Sequence, residues 1–177
     1  MTFQGAELNS VTPARPSAGS ADGILYVPPT EGLTKWVSGD IYTMKATRSQ
    51  TNGSLAFIEA IVPPGGGPIA HAHTDEDEAF FLLDGELEFL DGDRTFVASP
   101  GSFVFIPRGR RHRFKNISDA PAKTLFLFTP AGPEDLFVEG GDDPQPGAQP
   151  VVWDMERVAQ IGHLVEKTRL IVLPEAP

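Results

Sequence analysis

Three of the four histidines in this chain fall inside two short strings, GGGPIAHAHTDEDEAFFLLDG and GSFVFIPRGRRHRFKN, which alternate apolar and polar residues as half-buried strands do. That combination constrains the fold, because donors on separate strands can meet one ion only if the strands close on one another. Side chains on a strand repeat every two residues, so His71 and His73 point to the same side, about 6.5 Å apart along the backbone. Glu78 follows the polar turn at residues 74–77 and heads the apolar run 79–83. It is therefore expected to start the next strand and to be a third ligand. His112 comes after Pro107, Arg108 and Gly109, a turn signal behind the strand-like Phe103–Ile106. Phe103–Ile106 and residues 111–115 are predicted to form a second ligand hairpin, with His112 as the fourth ligand. Three imidazoles and one carboxylate leave open positions on an octahedral ion.

The chain has no cysteine, which excludes disulfides, zinc fingers and thiol catalysis and leaves nitrogen and oxygen as the strong metal donors. Three His and one Glu suit Fe, Mn, Ni or Co, with Zn left open, whereas Ca and Mg would ask for more oxygens. One divalent transition metal per chain is expected. A formal charge of −10 argues against nucleic acid, which needs a basic face. Four arginines, Arg108, Arg110, Arg111 and Arg113, nevertheless crowd around His112. Strand parity sends Arg111, Arg113 and Lys115 outward, leaving Arg108 and Arg110 in the turn as the only candidates for rim cations toward an anionic substrate; a solvated face is the favoured reading of the cluster. There is no run of 18 apolar residues and no basic-then-apolar start, so neither a membrane span nor a secretory signal is expected. A cytoplasmic protein is the default reading.

At 177 residues the length suits one domain. Residues 1–22, rich in Ser, Ala, Pro, Thr and Gly, read as a flexible N-terminal arm. Residues 23–130 read as short strands, at 24–27, 34–37, 40–46, 55–62, 80–83, 86–90, 95–98 and 123–129 besides the ligand strands. So many short strands imply an all-β barrel or double-sheet jelly roll, with Trp36 placed to cover its end. Asp75, Glu76 and Asp77 read as a solvated turn. Residues 131–177 form a C-terminal extension that packs on the barrel, with a helical turn at 133–137 and a short helix at 155–161. Asp154 caps that helix and Gly162 stops it. His163 reads as a surface histidine, and Leu164 with residues 170–173 as a tail or edge strand.

Seven phenylalanines lie on or near the ligand strands, which favours a small apolar or aromatic substrate. The expected pocket residues are Phe57, Phe80, Leu82, Phe103, Phe105 and Phe114. Parity singles out Phe80 and Leu82, on the face of Glu78, and Phe114, on the face of His112.

The two strings also resemble a known pair of motifs. Gly65, five residues, His71, one, His73, four, Glu78, six, Gly85 resembles the first cupin motif. Gly101, five residues, Pro107, one, Gly109, two, His112, three, Asn116 resembles the second, and the likeness covers residues 54–130. It implies a cupin jelly-roll β-barrel with His71, His73, Glu78 and His112 as metal ligands. Cupins commonly pair, so a homodimer is expected. The single domain, the motif spacing and the C-terminal extension look like bacterial quercetin 2,3-dioxygenases. That likeness implies a dioxygenase acting with dioxygen on a flavonol-like or other aromatic, polyketide-type enolisable substrate. The alternatives are a non-redox metal cupin (isomerase, cyclase or decarboxylase) and a ligand-binding cupin without turnover. Glu78 is given a second, catalytic role as general base, its proton affinity raised by phenylalanine walls.

Overall fold

A computed structural model describes residues 23–175, so the arm expected at 1–22 lies outside the described residues. The first part of the described chain is a run of antiparallel strands: β1 (Leu33–Val37), β2 (Asp40–Ala46), β3 (Ala56–Val62), β4 (His71–His73) and β5 (Asp77–Asp84). Then follow β6 (Leu87–Asp91), β7 (Arg94–Ala98), β8 (Phe103–Ile106), β9 (His112–Lys115) and β10 (Ala122–Thr129). The helices α1 (Glu134–Gly140), α2 (Met155–Gln160) and α3 (Gly162–Lys167) precede a final strand, β11 (Leu170–Val172). The strands form two sheets, β1-β2-β3-β10-β5-β8 and β11-β4-β9-β6-β7, packed face to face as a jelly roll. No helix among the described residues is long and apolar enough to cross a membrane.

Period-two alternation builds the interior. Along β2, β3 and β10 every second side chain is buried, so Ile58, Val62, Phe126 and Phe128 point into the space between the sheets. They meet Phe80 from β5, Phe89 from β6 and Phe114 from β9. Phe80 is the hub, with ring centroids 5.2 Å from Phe89 and 5.4 Å from both Phe114 and Phe126. Aromatic edges and faces at these separations attract beyond their area burial.

Turns between strands come from motif residues. Gly85 has φ 76°, and a Cβ there would sit 2.7 Å from the Cα of Ala122, so only glycine fits between β5 and β6. Asn116 is buried just after β9, where its Nδ2 donates to the carbonyls of Val62 (2.9 Å) and Ala120 (2.7 Å). It holds the two sheets together rather than touching a ligand.

The structure departs from the sequence reading in several places. Residues 24–27 form no strand; Ile24 and Tyr26 are exposed, with no neighbouring strand to pair with. The expected hairpin of β8 and β9 does not exist. β8 pairs with β5 at the edge of one sheet, while β9 lies between β4 and β6 in the other, so the turn after Ile106 crosses the barrel. Asp154 caps α2 as expected, accepting from the N–H of Arg157 at 2.8 Å. Gly162 does not end the helical region but opens α3, because the chain must bend there to bury both Ile161 and Leu164. Trp36 is tied to Asp142 by reciprocal backbone hydrogen bonds of 2.9 Å, which fasten the segment after α1 to the edge of β1.

Candidate metal centre

The four expected ligands converge. β4 presents His71 and His73, β9 places His112 directly opposite His71, and β5 brings Glu78 in from the other sheet. One donor atom from each lies within 4.8 Å of every other, and all four residues are buried. His112 Nε2 is 2.8 Å from Glu78 Oε2, and His73 Nε2 is 3.6 Å from the same oxygen, a distance over which charge acts but no hydrogen bond forms. The outer nitrogens of two rings are anchored on backbone: His71 Nδ1 on the carbonyl of Ile69 and His112 Nδ1 on that of Arg110, each at 2.8 Å. The N–H of Gly109 donates to the carbonyl of His73 at 2.7 Å, so the second motif's turn is stitched to the first motif's strand.

The donor chemistry fits a transition ion. Both ring nitrogens of His73 are buried without a hydrogen-bond partner, an arrangement that costs free energy unless something occupies the lone pair. Burial, helped by the neighbouring imidazoles, pushes His71 down to about 4, so it is neutral as a ligand must be. Burial pushes His112 down as well, yet the hydrogen bond and charge of Glu78 outweigh it and hold the ring above its ordinary value. For Glu78 the balance runs opposite to the sequence expectation. Burial raises its carboxyl, but the imidazoles of His112 and His73 overcome it and leave the group below the usual carboxylate range.

The expected pocket residues separate by strand parity. Phe80, Leu82 and Phe114 point inward and are buried. Phe57 and Phe103 lie on the outward side of their strands, where Phe103 is 66% exposed, because the inward positions are taken by Ile58 on β3 and by Val104 and Ile106 on β8. Phe105 also faces outward, yet it borders a cleft of about 210 Å³ between the free edges of β7 and β8 that reaches His112. Phe89, Phe96, Val104 and Ile106 line its walls and Arg110 its rim. The expected rim cations are both engaged: Arg108 forks onto Asp77 at 3.1 and 3.0 Å, and Arg110 meets Asp91 at 2.6 Å. Their charge is thereby largely neutralised. His163 is exposed at the start of α3, away from any ligand set.

Two features go beyond the sequence reading, the burial of Glu76 and the partner of the edge strand expected at 170–173. Glu76, taken for part of a solvated turn, is 8% exposed. The C-terminal extension also guards the metal strand. β11 pairs with β4, setting Leu170 against His73 and Val172 against His71. Glu175 then accepts from the N–H of Ala70 (2.8 Å) and from Arg113 Nε (2.9 Å). Tail-to-strand pairing carries no local signal beyond three apolar residues.

The molecule is a double-sheet jelly roll with a buried cluster of three imidazoles and one carboxylate that could hold a metal ion. Residues 58–128 match the cupin domain family, and the chain belongs to the cupin superfamily. Over 99 residues it is 33% identical to the polyketide synthase protein CurC of Streptomyces cyaneus, covering 54% of this chain and 62% of that protein. Over 102 residues it is 29% identical to the tetracenomycin polyketide synthase protein TcmJ of Streptomyces glaucescens, covering 56% and 67%. The chain thus spans about two thirds of the length of these relatives. An RmlC-like cupin from Shewanella frigidimarina shares the fold, with a TM-score of 0.53 at 16% identity over 62% of this chain and 93% of that one.

Proposed function

We propose that this protein is a metal-dependent cupin enzyme that cyclises or isomerises a small enolisable, phenolic substrate of polyketide type without consuming dioxygen. The observation that carries the reading is the convergence of His71, His73, Glu78 and His112, of which His112 also lines an aromatic-walled cleft. The two Streptomyces relatives, both named as polyketide synthase proteins, support the substrate class. A divalent ion held by these four residues would supply Lewis acidity, making a hydroxyl or carbonyl bound beside it more acidic. The chain's own residues do the rest. Phe89 and Phe96, stacked at 5.6 Å, offer a flat apolar wall for a planar ring. Glu78, held ionised by its imidazole neighbours, acts as the anionic ligand.

Incubating metal-loaded protein with enolisable phenolics under argon tests the reading. Conversion under argon equal to that in air, with no uptake at an oxygen electrode, is the expected result. Conversion that requires dioxygen would replace the proposal with the flavonol-type dioxygenase expected from the motif spacing. Saturable binding with no product by mass spectrometry would mark a binding protein instead.

A further inference from the structure

We infer that Glu76 is a positioning residue of the metal centre, its carboxylate accepting the Nδ1–H of His73 and so fixing that ring with Nε2 toward the ion. Two of the three imidazoles already have such an anchor, since His71 and His112 each set Nδ1 on a backbone carbonyl at 2.8 Å. His73 has none, and its Nδ1 is buried without a partner. A neutral imidazole that offers Nε2 to a metal must carry its proton on Nδ1, and a buried N–H needs an acceptor.

Glu76, three residues along the chain from His73, is a buried carboxylate that lacks a donor. Its Oε2 is buried with no hydrogen-bond partner. It stands two residues before Glu78, just ahead of β5, while Asp77 between them is bonded to Arg108. Gly132 makes the room, because a Cβ there would lie 3.0 Å from Glu76 Oε1. Both orphan atoms are satisfied if they pair with one another. The second carboxylate would also balance the positive charge that a divalent ion keeps after Glu78 has coordinated it.

This inference rests on the four-residue metal site but not on which reaction that site performs. The test is metal affinity by chelator competition for wild type, Glu76→Ala and Glu76→Gln, together with nitrogen-15 spectra of the imidazole N–H protons in the loaded proteins. Glu76→Ala is expected to bind about 10- to 100-fold more weakly, the scale for a lost partner of a ligating histidine. Glu76→Gln, which keeps an acceptor oxygen, is expected to recover part of that loss even if the alanine variant folds poorly. The protected Nδ1–H of His73 is expected to vanish in Glu76→Ala while those of His71 and His112 persist. Wild-type affinity in Glu76→Ala, or weaker binding with the His73 proton still protected, would overturn the inference. Failure of the wild-type protein to bind any divalent ion would overturn the metal site along with it.

Discussion

The same strands build both ends of the barrel interior, and the two ends do opposite work. β5 carries Glu78 at one end and Phe80 and Leu82 toward the other; β9 carries His112 and then Phe114; β10 carries Phe128 beside Glu78 and then Phe126. A step of two residues along a strand, about 6.5 Å, converts a metal ligand into a core side chain. The ligand end holds polar atoms that lack partners, whereas the phenylalanine end fills its volume with rings in contact. Binding and stability are therefore expected to respond to different substitutions on the same strand.

The largest effect is expected at the ligand end. Replacing His73 with Ala removes one of the four converging donors while leaving the aromatic cluster around Phe80 in place. Elemental analysis after dialysis is expected to show an emptied site, with the far-ultraviolet circular dichroism of a β protein unchanged. A full equivalent of metal retained by a folded His73→Ala protein would break the ligand assignment. Next comes the phenylalanine end, where Phe126 is 2% exposed and touches Tyr42, Phe80 and Phe128. Phe126→Ala is expected to cost about 3–5 kcal/mol in chemical denaturation while still binding metal in the folded protein. Loss of metal without loss of stability would erase the distinction between the ends.

What the sequence showed of this division follows from how local each feature is. His71, His73 and Glu78 sit within eight positions, so their spacing could be read directly, and His112 followed from a turn signal just before it. Strands β2, β3, β8 and β10 were likewise legible from alternation bounded by Gly and Pro. Pairing was not. The sequence places β8 beside β9, but the chain crosses from one sheet to the other between them, and only the hydrogen-bond ladder records that. Parity failed for Phe57, Phe103 and Phe105 for a related reason: on β3 and β8 both alternating sets contain apolar residues, so composition could not say which set faces inward. Glu76 was misread because an acidic run resembles a solvated turn, and its burial comes from Gly132, more than fifty residues away.

Two buried carboxylates sharpen the contrast. Glu78, among imidazoles, is held below the usual carboxylate range, whereas Asp40, at the end away from the metal, is pushed up to about 7 by burial that bonds from Tyr42 and Gly67 only partly offset. Between 3.8 and about 7 the unfolded chain has Asp40 ionised while the fold keeps it protonated, so the fold binds more protons and stability falls as pH rises through that window. The fall is expected to reach at most about 4 kcal/mol. Asp40→Asn, which can still accept from the Tyr42 hydroxyl, is expected to flatten the profile in denaturation series across this range. An unchanged slope would show that Asp40 is not the group responsible.

The smallest effect is expected outside the barrel. Phe81, Leu83, Phe103 and Phe105 are exposed on the outer face of the six-stranded sheet, 42%, 40%, 66% and 55% respectively. The other sheet's outer face carries charge instead, as in the 2.9 Å pair of Arg113 and Glu88. Burial of apolar area stabilises a fold only where water is removed, so an exposed ring contributes little to the single chain. Phe103→Ser is therefore expected to change the unfolding free energy by less than about 0.5 kcal/mol and to leave metal content unaltered. If two copies of the chain pair, as the resemblance to cupins implies, this face is the one expected to be covered, since exposed apolar surface marks interaction sites. Sedimentation equilibrium on wild type and Phe103→Ser separates the two effects. A weakened dimer with unchanged denaturation at high dilution would assign the outer ring to association, whereas a loss of several kcal/mol in the isolated chain would mean that Phe103 belongs with the inner core after all.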